Sequence, residues 1–193
     1  MRLAAIVLAA GEGRRMGGFP KALLPLGGAT FLERCLERLM VPPLERVFVV
    51  VGFDAERVRE LALPAGASFV ENLRFGDGML SSVLTGLDAA EKEGADAVLL
   101  HPVDHPLVAP STVERVVAAL LAGAVVAVPS FEGRRGHPAG FAAPSWSALR
   151  AASPLLGARQ ALREHPDWVV QVPGDEGCVT GFNVPEDLAA QRG

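Results

Sequence analysis

Leu3-Ala4-Ala5-Ile6-Val7-Leu8 runs through Ala9-Ala10 directly into Gly11-Glu12-Gly13-Arg14-Arg15-Met16-Gly17-Gly18. The apolar run is short and continuous, with no polar residue at alternate positions. A strand covered on both faces reads this way, as in a parallel sheet. The glycines after it let the backbone curl so that successive N–H groups face an anion. Outward along the chain the same kind of run recurs at 47–51, 67–70, 97–100, 125–128 and 168–172. Helical patterns fill the gaps at 31–40, 55–61, 80–92, 111–121, 155–164 and 185–191. Leu80, Val83, Leu84 and Leu87 form the i, i+3, i+4, i+7 stripe of a helix lying on a sheet. Strand–helix alternation predicts an α/β fold with a mostly parallel sheet and helices on both faces. No repeat or linker divides residues 1–193, so a single domain is expected.

The totals narrow the function classes. A chain of 193 residues that is 50% hydrophobic can fill one sizeable core. Its net charge of −4 carries no footprint for nucleic acid or an anionic membrane. Cys35 and Cys178 lack metal-ligand spacing, which reads as a reduced, cytoplasmic protein. The apolar start meets glycines and arginines rather than a cleavage site, and residues 118–128 fall far below the ~20 needed to span a bilayer.

In open α/β sheets ligands gather beyond the carboxyl ends of the strands. The first loop there offers backbone donors plus Arg14, Arg15 and Lys21, the requirements of a triphosphate. Its G-x-G-x-x-x-G spacing is not the dinucleotide fingerprint, and Gly52-Phe53 supplies no acidic residue after the second strand. No Gly-Lys-Ser/Thr of a Walker A loop is present. A second loop runs Asn72-Leu73-Arg74-Phe75-Gly76-Asp77-Gly78-Met79-Leu80-Ser81-Ser82, where hydroxyls and free N–H groups at a helix start can meet a ribose or base. Helix capping by Asp77 or Ser81 is the plainer reading of that stretch. The third, His101-Pro102-Val103-Asp104-His105-Pro106, delivers one carboxylate to a strand end, suited to Mg²⁺. His101 and His105 have no third zinc ligand at suitable spacing and read as supporting residues. Arg134-Arg135-Gly136-His137-Pro138 suits an anionic acceptor, and Asn183 in Gly181-Phe182-Asn183 adds a neutral oxygen.

Taken together, Leu8-Ala-Ala-Gly-x-Gly-x-Arg-Met-Gly with Lys21 and Leu24-Pro25, Gly78-Met-Leu-Ser-Ser82, Asp104-His-Pro106, Arg135-Gly-His-Pro138 and Asn183-Val-Pro-Glu-Asp-Leu188 resemble the nucleotidyltransferases of molybdenum cofactor maturation. The resemblance is nearest to the cytidylyltransferase branch and covers almost the whole chain. It implies a Rossmann-like three-layer α/β/α fold. It places the nucleotide on Leu8, Ala9, Ala10, Gly11, Gly13, Arg14, Arg15, Lys21, Asn72, Gly78, Met79, Ser81 and Ser82. Arg15, Lys21 and Asp104 would be catalytic, Asp104 and Asn183 would hold Mg²⁺, and Arg135, Gly136 and His137 would receive the acceptor. Ala9-Ala10-Gly11 is similar to the cytidylyl branch and favours CTP, where the guanylyl branch usually has two glycines. The family's last motif often carries aspartates where this chain has Gly181 and Asn183.

The implied reaction joins a nucleoside monophosphate to a phosphorylated acceptor such as molybdopterin cofactor and releases pyrophosphate, with a molybdoenzyme or its chaperone as downstream partner. An ionised acceptor phosphate needs no general base, so catalysis reduces to positioning and charge neutralisation. Rival readings are a sugar-phosphate or methylerythritol-phosphate nucleotidyltransferase, a non-catalytic nucleotide-binding regulatory domain, and a nicotinamide-dependent oxidoreductase, which the loop spacing disfavours.

Overall fold

Leu3–Leu8 (β1) owes its central place to small and branched apolar side chains that can be buried on both faces, and only Leu8 is less than fully covered. The structure is a computed structural model and describes residues 1–13 and 17–183. After the glycine loop, a short 3₁₀ turn at Lys21–Leu23 leads into a two-residue hairpin, Pro25–Leu26 (β2) and Ala29–Thr30 (β3). Phe31–Leu39 (α1) starts on a capping box: the Glu33 N–H donates to the Thr30 hydroxyl at 3.2 Å, and the Thr30 N–H donates to the Glu33 carboxylate at 2.6 Å. Those bonds from Thr30 hold the Glu33 carboxyl below its ordinary pKa.

Chain order continues through Arg46–Val51 (β4), Ala55–Arg59 (α2), Ala67–Glu71 (β5) and Met79–Lys92 (α3). Then come Ala97–Pro102 (β6), Pro110–Leu121 (α4), Val126–Phe131 (β7), Arg134–Arg135 (β8) and Ala139–Ala142 (β9). Trp146–Ala151 (α5), Arg159–Glu164 (α6), Val169–Pro173 (β10) and Glu176–Val179 (α7) complete the described elements. The main sheet runs β10-β7-β9-β6-β1-β4-β5, with β8 paired to β7. β1 lies parallel between β4 and β6, with Leu8 opposite Val50 on one side and Pro102 on the other. β9 alone on the main path is antiparallel, to both β6 and β7.

The two faces of β1 enter separate cores. Ala5, Val7 and Ala9 pack with Phe31, Leu32, Val113 and Leu120 beneath α1 and α4. Ala4, Ile6 and Ala10 pack with Leu80, Val83, Leu87 and Trp146 beneath α3 and α5. This is the expected three-layer α/β/α arrangement around a mostly parallel sheet. All six strands read from the sequence are present, and α1 to α4 lie within two residues of their expected ends. The antiparallel β9 and helix α5 were not foreseen. The helix expected over 155–164 begins only at Arg159, because residues 154–158 form turns in which Gly157 adopts φ +58°. The helix expected at 185–191 lies outside the described residues. Among the described residues no helix is long and apolar enough to cross a membrane.

Candidate active site

A cavity of about 500 Å³ opens at the carboxyl ends of β1 and β6. Leu8 to Gly13 form one wall, and Phe75, Gly76, Gly78, Met79 and Ser82 form another. Pro102, Val103 and Asp104 close the β6 side with Lys21 and Asn183. The β1 loop is tied down at its root. The Ala9 N–H donates to the Val50 carbonyl at 2.9 Å, and the Ala10 carbonyl accepts from the Phe53 N–H at 3.1 Å. Gly13 takes φ +58°, and a Cβ there would overlap the Phe19 carbonyl oxygen, so only glycine suits that corner.

Lys21 projects from its 3₁₀ turn onto Asp104. Its Nζ lies 2.7 Å from Asp104 Oδ2 and 3.2 Å from Asn183 Oδ1. The Lys21 and Asp104 side chains are 18% and 21% exposed, so water screens this pair only in part. Three consecutive carbonyls, those of Val103, Asp104 and His105, fix the segment that carries Asp104. The Asp104 carbonyl accepts from the Phe182 N–H at 2.9 Å, and Phe182 is seated edge-on against Phe31 with ring centroids 5.1 Å apart. His101 is wholly buried, and its Nε2–H donates to the His105 carbonyl at 3.1 Å. The Cys35 thiol donates to the Val103 carbonyl at 3.5 Å. Burial pushes that thiol's pKa up, which keeps it protonated as a donor.

His105 Nε2 stands 3.8 Å from Asp104 Oδ1, and the His105 ring packs 4.8 Å from that of His137. Desolvation lowers the pKa of all three histidines, His137 to about 4, and each of His101 and His137 is lowered further by its imidazole neighbours. They are therefore neutral at pH 7. Among the described residues lining the cavity, Lys21 is the one cation.

The structure thus brings Leu8, Ala9, Ala10, Gly11, Gly13, Lys21, Gly78, Met79, Ser82, Asp104 and Asn183 to one cavity. Asn72 and Ser81 lie behind its wall. Asn72 is 2% exposed, and its Nδ2 donates to the Ser81 and Ser82 hydroxyls at 2.8 and 3.0 Å while Oδ1 accepts from the Arg74 N–H at 2.9 Å. This pair fixes the loop ahead of α3. Gly78, φ +98°, stands at the N-cap of that helix and no side chain caps it, so its positive end is left to the cavity. Arg135 is exposed on β8, opposite Ser130. Gly136 packs against the Cys178 carbonyl, to which the His137 N–H donates at 2.8 Å. Arg135, Gly136 and His137 do not line the cavity, and the His137 ring packs on His105, which stands beside Asp104. Arg14 and Arg15 lie outside the described residues. The anchoring role of Phe182 is not evident from Gly181-Phe182-Asn183 alone; an aromatic beside a polar ligand candidate is the signal that marks it.

Among the described residues no three His, Cys, Asp or Glu side chains cluster to hold a metal. Two hard oxygens, Asp104 Oδ2 and Asn183 Oδ1, do converge on one positive nitrogen. That donor set fits a hard divalent cation taking its remaining ligands from phosphate and water.

The strand order, with a glycine loop, a lysine and an aspartate gathered at the strand ends, defines a nucleotidyltransferase. Residues 5–175 match the MobA-like NTP transferase domain, and the chain belongs to that family. It is 36% identical over 193 residues to a protein of Cereibacter sphaeroides named molybdenum cofactor guanylyltransferase, covering 98% of this chain and 95% of that one. A protein of Paenarthrobacter nicotinovorans named nicotine blue oxidoreductase is 34% identical over 186 residues, 93% of this chain and 90% of that one. Among solved structures, a nucleotidyl transferase from Methanothermobacter superposes with a TM-score of 0.81 at 25% identity, covering 99% of this chain and 96% of that one.

Proposed function

We propose that this chain, as one domain over residues 1–193 and in the cytoplasm, transfers CMP from CTP to a phosphorylated acceptor of the molybdenum cofactor type. The observation that carries the reading is the meeting of Lys21, Asp104 and Asn183 within 3.2 Å at the mouth of the glycine loop. An oxygen of the acceptor phosphate attacks the α-phosphorus, the bond to the β-phosphate oxygen breaks, and pyrophosphate leaves with the electron pair. With a second phosphate pKa of about 6, the acceptor is largely dianionic at pH 7 and needs no base. The backbone from Gly11 to Gly13 and the uncapped start of α3 receive phosphate oxygens, and Lys21 neutralises charge gathering on the leaving group. Asp104 and Asn183 would hold Mg²⁺, which when bound offsets phosphate charge and aligns the transferring group.

CTP is proposed on the resemblance of Ala9-Ala10-Gly11 to the cytidylyl branch, although the Cereibacter relative bears a guanylyltransferase name. The Ala10 methyl does not narrow the base site directly, since it is 2% exposed and belongs to the core with Ile6, Val50 and Leu80. Seated there, it fixes the height of the Ala10 backbone on the cavity wall. Equal mixtures of CTP and GTP with Mg²⁺ and acceptor test both levels of the reading. CMP transfer should exceed GMP transfer. GTP preference would return the chain to the guanylyl branch, transfer to a sugar phosphate or methylerythritol phosphate alone would replace the acceptor, and no pyrophosphate from any NTP would overturn the transferase assignment for this site.

A further inference from the structure

The oxygens suited to a divalent cation are already held by an ammonium. Lys21 Nζ sits at hydrogen-bond distance from both Asp104 Oδ2 and Asn183 Oδ1. A cation bound to Asp104 Oδ2 at about 2.1 Å would stand a few ångströms from that ammonium if Lys21 stayed, and the two charges would repel. The exchange is unfavourable for the metal alone, because it takes from Lys21 the carboxylate and amide oxygens it is bonded to and itself brings no anion. A triphosphate supplies one. Lys21 lines the cavity together with the glycine loop, and its flexible four-carbon stem can turn to a new partner by rotamer change.

We propose that Lys21 is a placeholder: in the nucleotide-free protein its ammonium occupies the divalent-cation position between Asp104 and Asn183, and it passes to the triphosphate when nucleotide and cation enter together. The site therefore discriminates against the bare cation. Asp104 is paired in both states, and the affinities for cation and nucleotide are coupled reciprocally. This rests on the assignment of Asp104 and Asn183 as the metal ligands.

The test is Mn²⁺ binding to the full chain without nucleotide, followed by the electron paramagnetic resonance signal of free Mn²⁺. Lys21→Met and Lys21→Gln both remove the ammonium and keep most of the stem. Each should bind Mn²⁺ about tenfold tighter than wild type, equivalent to ~1.4 kcal/mol. A non-hydrolysable CTP analogue, corrected for the Mn²⁺ it binds in solution, should tighten wild-type binding far more than that of either variant. Mn²⁺ affinity in both variants equal to or weaker than wild type would overturn the placeholder role. Asp104→Asn separates the two levels: if it binds Mn²⁺ as wild type does, with and without the analogue, the cation lies elsewhere and the metal assignment fails first.

Discussion

Phe182 is 1% exposed and stands where the chain returns to the active site, so truncating it tests how Asn183 is held. An aromatic side chain of this kind buries on the order of 150–200 Å², which at ~25 cal/mol per Å² is about 4–5 kcal/mol. The edge-on contact with Phe31 at 5.1 Å adds roughly 0.5–1.5 kcal/mol, and the Phe182 N–H bond to the Asp104 carbonyl about 1 kcal/mol. Phe182→Ala removes most of the first two terms and leaves a cavity beside α1. A cost of about 3–5 kcal/mol is expected, or a fall in Tm on the order of 10 °C for a domain of this size. If the segment lets go locally instead, the melting point moves less, but Asn183 leaves Lys21 and the Mg²⁺ concentration for half-maximal activity rises. Phe182→Leu, which keeps bulk, should lose about 1–1.5 kcal/mol and retain its Mg²⁺ dependence. Calorimetry and Mg²⁺ titration of turnover read the two effects separately. Phe182→Ala with unchanged Tm and unchanged Mg²⁺ dependence would refute the anchoring argument.

Asp104→Asn should lower turnover at least 10²-fold with a near-native circular dichroism spectrum, and turnover within a few-fold of wild type would remove Asp104 from the machinery. Gly86 lies where α3 approaches β1 and β4; a Cβ there would overlap Ile6 Cγ2 and come within 3.0 Å of Val50 Cγ2. Helix propensity alone favours valine over glycine by a few tenths of a kcal/mol, yet Gly86→Val should destabilise by about 2–3 kcal/mol in denaturant titration; a gain in stability would contradict that close approach. His137, with its pKa held near 4, and His101, also lowered, are uncharged when folded, whereas the unfolded chain takes up those protons near pH 6.5. Their contribution is therefore complete above pH 6.5 and lost as pH falls toward 4. Stability at pH 5 should lie about 2–4 kcal/mol below that at pH 7.5, with His137→Gln flattening the slope; equal stabilities at the two pH values would be the wrong result for this cluster.

The strands were legible because a two-sided burial demand leaves continuous apolar runs, as in Leu3–Leu8 and in residues 47–51 of β4. β9 was not, because Ala139–Ala142 is only four residues and lacks β-branched side chains. Its Gly140 is dictated by close packing against Val116 and Leu120, distant in sequence. In the site, Lys21 and Asp104 were readable from loop position, each following a recognisable turn or strand. The placement of Asn72 and Ser81 was not. A buried amide that pins two hydroxyls looks, in sequence, the same as an amide that meets a nucleoside, and only burial and bond partners separate them. The Arg135–His137 segment shows the same limit: a basic glycine turn suggests an anion, yet here its glycine and histidine pack against Cys178.

The central claim is tested most directly by following the label of [α-³²P]CTP with Mg²⁺, protein and a molybdopterin-type acceptor. The account predicts that radioactivity moves into the acceptor with one pyrophosphate released per label transferred, and that Asp104→Asn does neither. Label recovered only as free CMP, or transfer that persists undiminished in Asp104→Asn, would contradict it.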